Sequence, residues 1–198
     1  MDTPEPPAAG RTALLVVDMQ NDFVLTGSPV CVAGAAATVP SIRALLGRWR
    51  AAAAPVVHVT RAYAADGSDV EAVRLEAFRR RPFLVPGTPG VEVVDGLEPA
   101  DGEHRVVKTR YSAFFATPLD LLLRRLRVER VVLTGTQYPA CIRSTAFDAL
   151  SLGYEVAVAN DACSAATPAV AEANVFDLRN VGVACLDGAA LAAEPWCP

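Results

Sequence analysis

The chain has 198 residues, 52% hydrophobic and 20% charged, which is the size and composition of one globular domain and excludes a disordered chain. Its net charge of −4, from 18 basic and 22 acidic side chains, comes without a basic stripe, which argues against a nucleic-acid or anionic-membrane surface. No apolar run approaches the ~18 residues of a membrane span. The acidic, proline-rich start MDTPEPPAAGR lacks the basic-then-apolar order of a secretory signal. The expectation is a cytoplasmic protein with neither nucleic acid nor membrane as a partner. Cys31, Cys141, Cys163, Cys185 and Cys197 form no Cys-x-x-Cys or Cys/His cluster, so neither a disulfide framework nor a zinc site is indicated.

Residues 1–10 read as a flexible tail and 11–198 as one domain. Strands are expected at Ala13–Val17, Val56–Thr60, Arg105–Thr109, Arg130–Thr134, Tyr154–Ala159 and Val181–Leu186. Runs such as ALLVV and RVVLT are apolar nearly throughout, as in strands of a parallel sheet covered on both faces. Helical patterns fall at about 39–53, 68–79, 118–128, 141–152 and 168–179. Thr117-Pro118 and Thr167-Pro168 carry N-cap and first-turn signals. Gly153 stands where the 141–152 helix should stop. The irregular stretch 81–104 reads as a long loop over one end of the sheet. This alternation predicts an α/β fold with one mainly parallel sheet.

Open α/β sheets bind ligands at the carboxyl ends of their strands, and three reactive side chains fall there. Asp18 follows the first strand, Lys108 ends the third, and Cys141 lies after the fourth, at a helix start. A helix N-terminus lowers a thiol's pKa toward the thiolate, although an isolated cysteine is more often a small apolar residue in the core. Lys108 is the single lysine beside 17 arginines, so its place by drift is improbable. A carboxylate after five apolar residues, as Asp18 is, must be paired or sit at a site. Gln20 and Phe23 after the first strand, and Tyr111 after the third, are candidates for lining a pocket. Aromatic residues near a sheet end are, however, more often core. Of the two histidines, His58 reads as core and His104 as surface. Arg61, Arg110 and Arg143 are available to a carboxylate, with nothing to single one out.

The segments LLVVDMQNDF at 14–23, VVKTRYSAF at 106–114 and TGTQYPACIRSTAFDAL at 134–150 resemble those of the isochorismatase-like cysteine hydrolases, in the family's order. That family includes nicotinamidases, carbamoylsarcosine amidases and ureidoacrylate hydrolases. The resemblance implies a Rossmann-like six-stranded parallel sheet with helices on both faces. It also implies an Asp18–Lys108–Cys141 triad and a cis peptide at Thr136-Gln137. The oxyanion hole would be the backbone N–H groups of Gln137 and Cys141. It further implies a homodimer or homotetramer. Two departures stand out. Gly135-Thr136-Gln137-Tyr138-Pro139-Ala140-Cys141 replaces a common Gly-Val-Ala-Thr-Asp-x-Cys, so Tyr138 alters the pocket wall. The stretch HVTRAYAADGSDVEAV lacks the aspartate-and-histidine set with which nicotinamidases bind a metal after their second strand.

The function expected from these residues is hydrolysis of a carbon–nitrogen bond in a small amide, ureido or lactam compound. Asp18 takes the thiol proton, Lys108 steadies the thiolate, and Cys141 attacks the carbonyl to give a thioester. No cofactor and no metal are expected. The alternatives are vinyl-ether cleavage of the isochorismatase type, which needs no nucleophile, and a non-catalytic binding protein of the same fold.

Overall fold

The computed structural model describes residues 12–193 and 195–198; the expected tail, 1–10, lies outside them. Six strands form one sheet: β1 (Thr12–Val17), β2 (Val56–Arg61), β3 (His104–Lys108), β4 (Arg130–Thr136), β5 (Glu155–Ser164) and β6 (Ala184–Leu186). Their order is β3-β2-β1-β4-β5-β6, and every neighbouring pair is parallel. Among the described residues six α-helices accompany them: α1 (Asn21–Val24), α2 (Ala35–Ala51), α3 (Ala72–Arg80), α4 (Leu119–Arg125), α5 (Arg143–Ser151) and α6 (Pro168–Asn180).

Side-chain alternation along the strands divides the core into two layers. Leu14, Val16, Val56, Val132 and Ala157 pack against Ile42, Leu45, Leu46 and Trp49 of α2. Ala13, Leu15, Val17, Leu133 and Val158 pack against Leu119 and Leu123 of α4, Ala146 and Ala149 of α5, and Leu178 of α6. The central strand β1 is buried at all six residues, as its unbroken apolar run requires. Edge strand β3 instead alternates between buried and exposed positions. No helix among the described residues is long and apolar enough to cross a membrane.

Element ends differ from the sequence expectation for local reasons. The second helix begins at Ala35 and carries Pro40 inside it, in its second turn, where proline removes the N–H that would bond the Ala36 carbonyl. The fifth strand runs on to Ser164, past a register shift that pairs Leu133 with Val158 and then Gly135 with Cys163. Cys163 therefore lies inside β5 rather than after it. The sixth strand loses its first residues to the end of α6, where Gly182 adopts φ +93° and its N–H bonds Arg179 O.

The 81–104 stretch contains one short 3₁₀ turn, Pro89–Val91, and is tied down along its length. Val93 forms a β-bridge to Gln20, and the Gly96 carbonyl accepts from Arg43 Nε. Glu103 gathers Arg50 Nε at 2.7 Å, the Ala100 N–H at 2.8 Å and His58 Nε2 at 2.9 Å. Burial alone would work against the Glu103 charge, but these donors hold its carboxyl down at about 2. Burial lowers the His58 pKa despite the Glu103 bond, so its ring is held neutral, with Nε2–H donating.

The signs agree. Glu103's contribution is complete above the ordinary carboxyl value of 4.5 and is lost as pH falls from there toward about 2. Neutral His58 adds an acid penalty below 6.5, where the unfolded chain takes up the proton. Glu103→Gln is expected to cost about 1–2 kcal/mol at pH 7, a drop in Tm of a few degrees. In thermal melts from pH 7 to 3, the gap between variant and parent should narrow below pH 4.5. A gap independent of pH would refute the ionised network.

Candidate active site

The strand order reverses between β1 and β4, which opens a crevice at their carboxyl ends. Asp18 leaves β1 there with φ +55°, a left-handed conformation that aspartate tolerates better than most residues. Its N–H bonds Val59 O at 2.8 Å, turning the carboxylate out of line with the strand. Gly135 makes this packing possible. A Cβ on it would meet Val17 O at 2.0 Å, and its φ is +113°, so no other residue fits against β1 at that level.

Asp18 is fully buried, and Lys108 and Cys141 are 1% and 4% exposed. Lys108 Nζ donates to Asp18 Oδ2 at 2.7 Å and to Arg110 O at 3.1 Å. Asp18 Oδ1 is buried with no nitrogen or oxygen donor on it, which keeps a basic lone pair in the site. Asp18 also acts electrostatically on the Cys141 thiol. Burial first, then the Asp18 charge, raise the thiol's pKa, and Lys108 and Arg61 pull it down. The net direction is upward, contrary to the lowering expected of a helix start. The physical reason is that Cys141 is enclosed in a wide π-type turn, Tyr138–Ile142, ahead of α5. The Gln137 carbonyl accepts from Ala140 and Ile142 in that turn. The peptide Thr136-Gln137 is cis, as the family resemblance implied.

Arg61 is the site residue that sequence reasoning did not single out. Fully buried at the end of β2, it pairs in register with Lys108. Its Nη2 donates to Arg110 O at 2.8 Å and to Cys141 Sγ at 3.6 Å. Nη1 donates to Glu71 Oε1 at 3.0 Å and to Tyr63 OH at 2.8 Å. Burial opposes its charge, yet Asp18, Cys141, Tyr63 and Glu71 more than offset this and raise its pKa. The available signal was position: like Asp18 and Lys108, Arg61 ends a strand, but arginine is this chain's default base and masked it.

The pocket candidates separate. Gln20 is fully buried; its amide donates to Arg61 O and Val91 O and accepts from Arg61 N–H. It is thus a clamp on the Arg61 backbone. Phe23 is buried in a side cluster with Tyr63, Phe78 and Phe83. Tyr111 has the guanidinium groups of Arg61 and Arg74 over its ring, 5.1 and 5.6 Å from the ring centre. Tyr138 is buried, its hydroxyl 3.2 Å from Asn160 Oδ1. After β2, where the resemblance would put metal ligands, stand the cation Arg61 and its partners Tyr63 and Glu71. That set does not fit a metal ion, and among the described residues no group of three or more His, Cys, Asp or Glu could hold one.

The arrangement brings a thiol, a carboxylate with a free lone pair and two cations into one buried cluster, equipment for attack on a polarised carbonyl. The isochorismatase domain family model matches residues 12–190. A probable inactive nicotinamidase of Arabidopsis thaliana is 41% identical, over 87% of this chain and 90% of its own length. The ureidoacrylate amidohydrolase RutB of Pantoea ananatis is 34% identical, over 82% of this chain and 72% of its own. A crystal structure of an isochorismatase family protein from Desulfovibrio vulgaris superposes with a TM-score of 0.89 at 54% identity, covering 91% of this chain and 96% of that one. The chain belongs to the isochorismatase-like hydrolase family.

Proposed function

We propose that the protein hydrolyses a carbon–nitrogen bond of a small amide, ureido or lactam compound through a covalent thioester on Cys141. The observation that carries this reading is the burial of Cys141 in one cluster with Asp18, whose carboxyl group is held there by Lys108 at 2.7 Å. Because the thiol's pKa is raised, it rests protonated and needs a base at the moment of attack. Asp18 Oδ1 takes that proton as sulfur bonds to the carbonyl carbon. The oxyanion is received by the backbone N–H groups of Gln137 and Cys141, each such donor typically worth about 3 kcal/mol in the transition state. Asp18 then returns the proton to the departing nitrogen, and water cleaves the thioester. Lys108 keeps its contact with Asp18 throughout, so the carboxyl group stays in place while its charge changes. The amidohydrolase name of the Pantoea relative supports the reaction class.

Release of ammonia or amine across a panel of small amides, ureido acids and lactams identifies a substrate. On that substrate, Cys141→Ser is expected to lose at least about 10³-fold in kcat with a Tm within a few degrees of the parent. The hydroxyl is smaller than the thiol and far less acidic, so Asp18 cannot activate it. Substantial residual turnover in Cys141→Ser would remove the covalent route.

Arg61, a cation where the resemblance would put metal ligands, predicts a metal-independent rate. Dialysis against a strong chelator should leave turnover unchanged. A loss restored by zinc or iron would show that ligands assemble elsewhere.

A further inference from the structure

Arg61 is held more firmly than a side chain that merely fills space. Gln20 bonds both the N–H and the carbonyl of its backbone. Glu71 and Tyr63 take Nη1, and Arg110 O takes Nη2. That same carbonyl accepts from Lys108 Nζ at 3.1 Å, so one oxygen aligns both buried cations. The outcome is an N–H of Arg61 directed at Cys141 Sγ, 3.6 Å away.

Charge is balanced across the cluster. Lys108 is paired with Asp18 and Arg61 with Glu71, which leaves the four charged side chains neutral while Cys141 is a thiol. Moving the Cys141 proton to Asp18 Oδ1 conserves that total but displaces the negative charge from Asp18 to sulfur. Lys108 stays on the now neutral carboxyl. The cation in contact with the new charge is Arg61.

We propose that Arg61 is the thiolate partner of Cys141: it stabilises the form in which the S–H bond has broken, the proton has bonded to Asp18 Oδ1, and sulfur holds the electron pair. A hydrogen bond from a cation to an anionic acceptor is about twice as strong as a neutral one. An opposite charge at this range shifts a pKa by about 1–3 units. Lys108 adds its field from a distance, but its short-range bonds go to Asp18 and Arg110 O, and the hydrogen bond to sulfur comes from Arg61. The inference rests on Cys141 being the nucleophile, but it concerns the thiol itself, so its test needs no substrate.

The probe is iodoacetamide on the full-length protein, with Cys141 modification followed by mass spectrometry from pH 7 to 11.5. The midpoint of the pH–rate curve is the readout; added access would raise rates at all pH without moving it. Arg61→Met should move the midpoint up by about one unit or more, an alkylation about tenfold slower at pH 7.5. Arg61→Lys, which keeps the charge without the fork, should fall between. Glu71→Gln should move the midpoint down, because Arg61's charge is then less compensated. This variant keeps the test decisive should Arg61→Met not fold. Unchanged midpoints in folded Arg61→Met, or in Glu71→Gln, would overturn the assignment. Shifted midpoints together with no hydrolysis of any amide would instead leave Arg61's role standing and refute the proposed reaction.

Discussion

Lys108 Nζ sits 2.7 Å from Asp18 Oδ2, with both side chains fully shielded from solvent. An ion pair in that setting persists only if its geometry is good and its remaining donors and acceptors are met; losing one partner of such a pair typically costs about 3–5 kcal/mol. Much of the surrounding structure answers this demand. The left-handed turn at Asp18, the absent Cβ at Gly135 and the Arg110 carbonyl each place one component of the pair. The second pair, Arg61 with Glu71, repeats the pattern one strand over. Two atoms of these pairs are exceptions, Arg61 Nε and Asp18 Oδ1, and Asp18 Oδ1 is the atom that a proton-transfer role would require to be free.

The raised thiol pKa of Cys141 changes the character of the proposed nucleophile from the one a helix start would give. A cysteine with a standing thiolate reacts with oxidants and stray electrophiles at all times. Here the resting sulfur is protonated and enclosed, and under the proposed reaction the anion exists only while Asp18 holds its proton. Reactivity is thereby tied to the geometry of the full cluster rather than to the cysteine's own environment.

The parallel sheet was readable because β1, β4 and the first half of β5 are apolar runs with clear turn signals between them. The far half of β5 was not: Asn160 and Asp161 look like a loop, and the strand resumes at Ala162–Ser164 only through a register shift that pairing with β4 imposes. Asp18, Lys108 and Cys141 were legible because each breaks a local rule: an acid after an apolar run, a lone lysine among arginines, a thiol in a turn. Arg61 breaks none, and its place beside Lys108 appears only once β2 and β3 are laid in register. Gln20 was a candidate for lining a pocket, but its bonds to a backbone 41 residues away belong to tertiary structure alone.

The solitary lysine has one more consequence. With 17 arginines and a single lysine, and that lysine 1% exposed, the folded surface of the described residues presents no ε-amine to acylating reagents. Lys108 becomes accessible only when the end of β3 separates from β1 and β2. Its rate of acylation is therefore a built-in gauge of how often the sheet opens at that end, governed by the free energy of local unfolding rather than by the amine's own nucleophilicity.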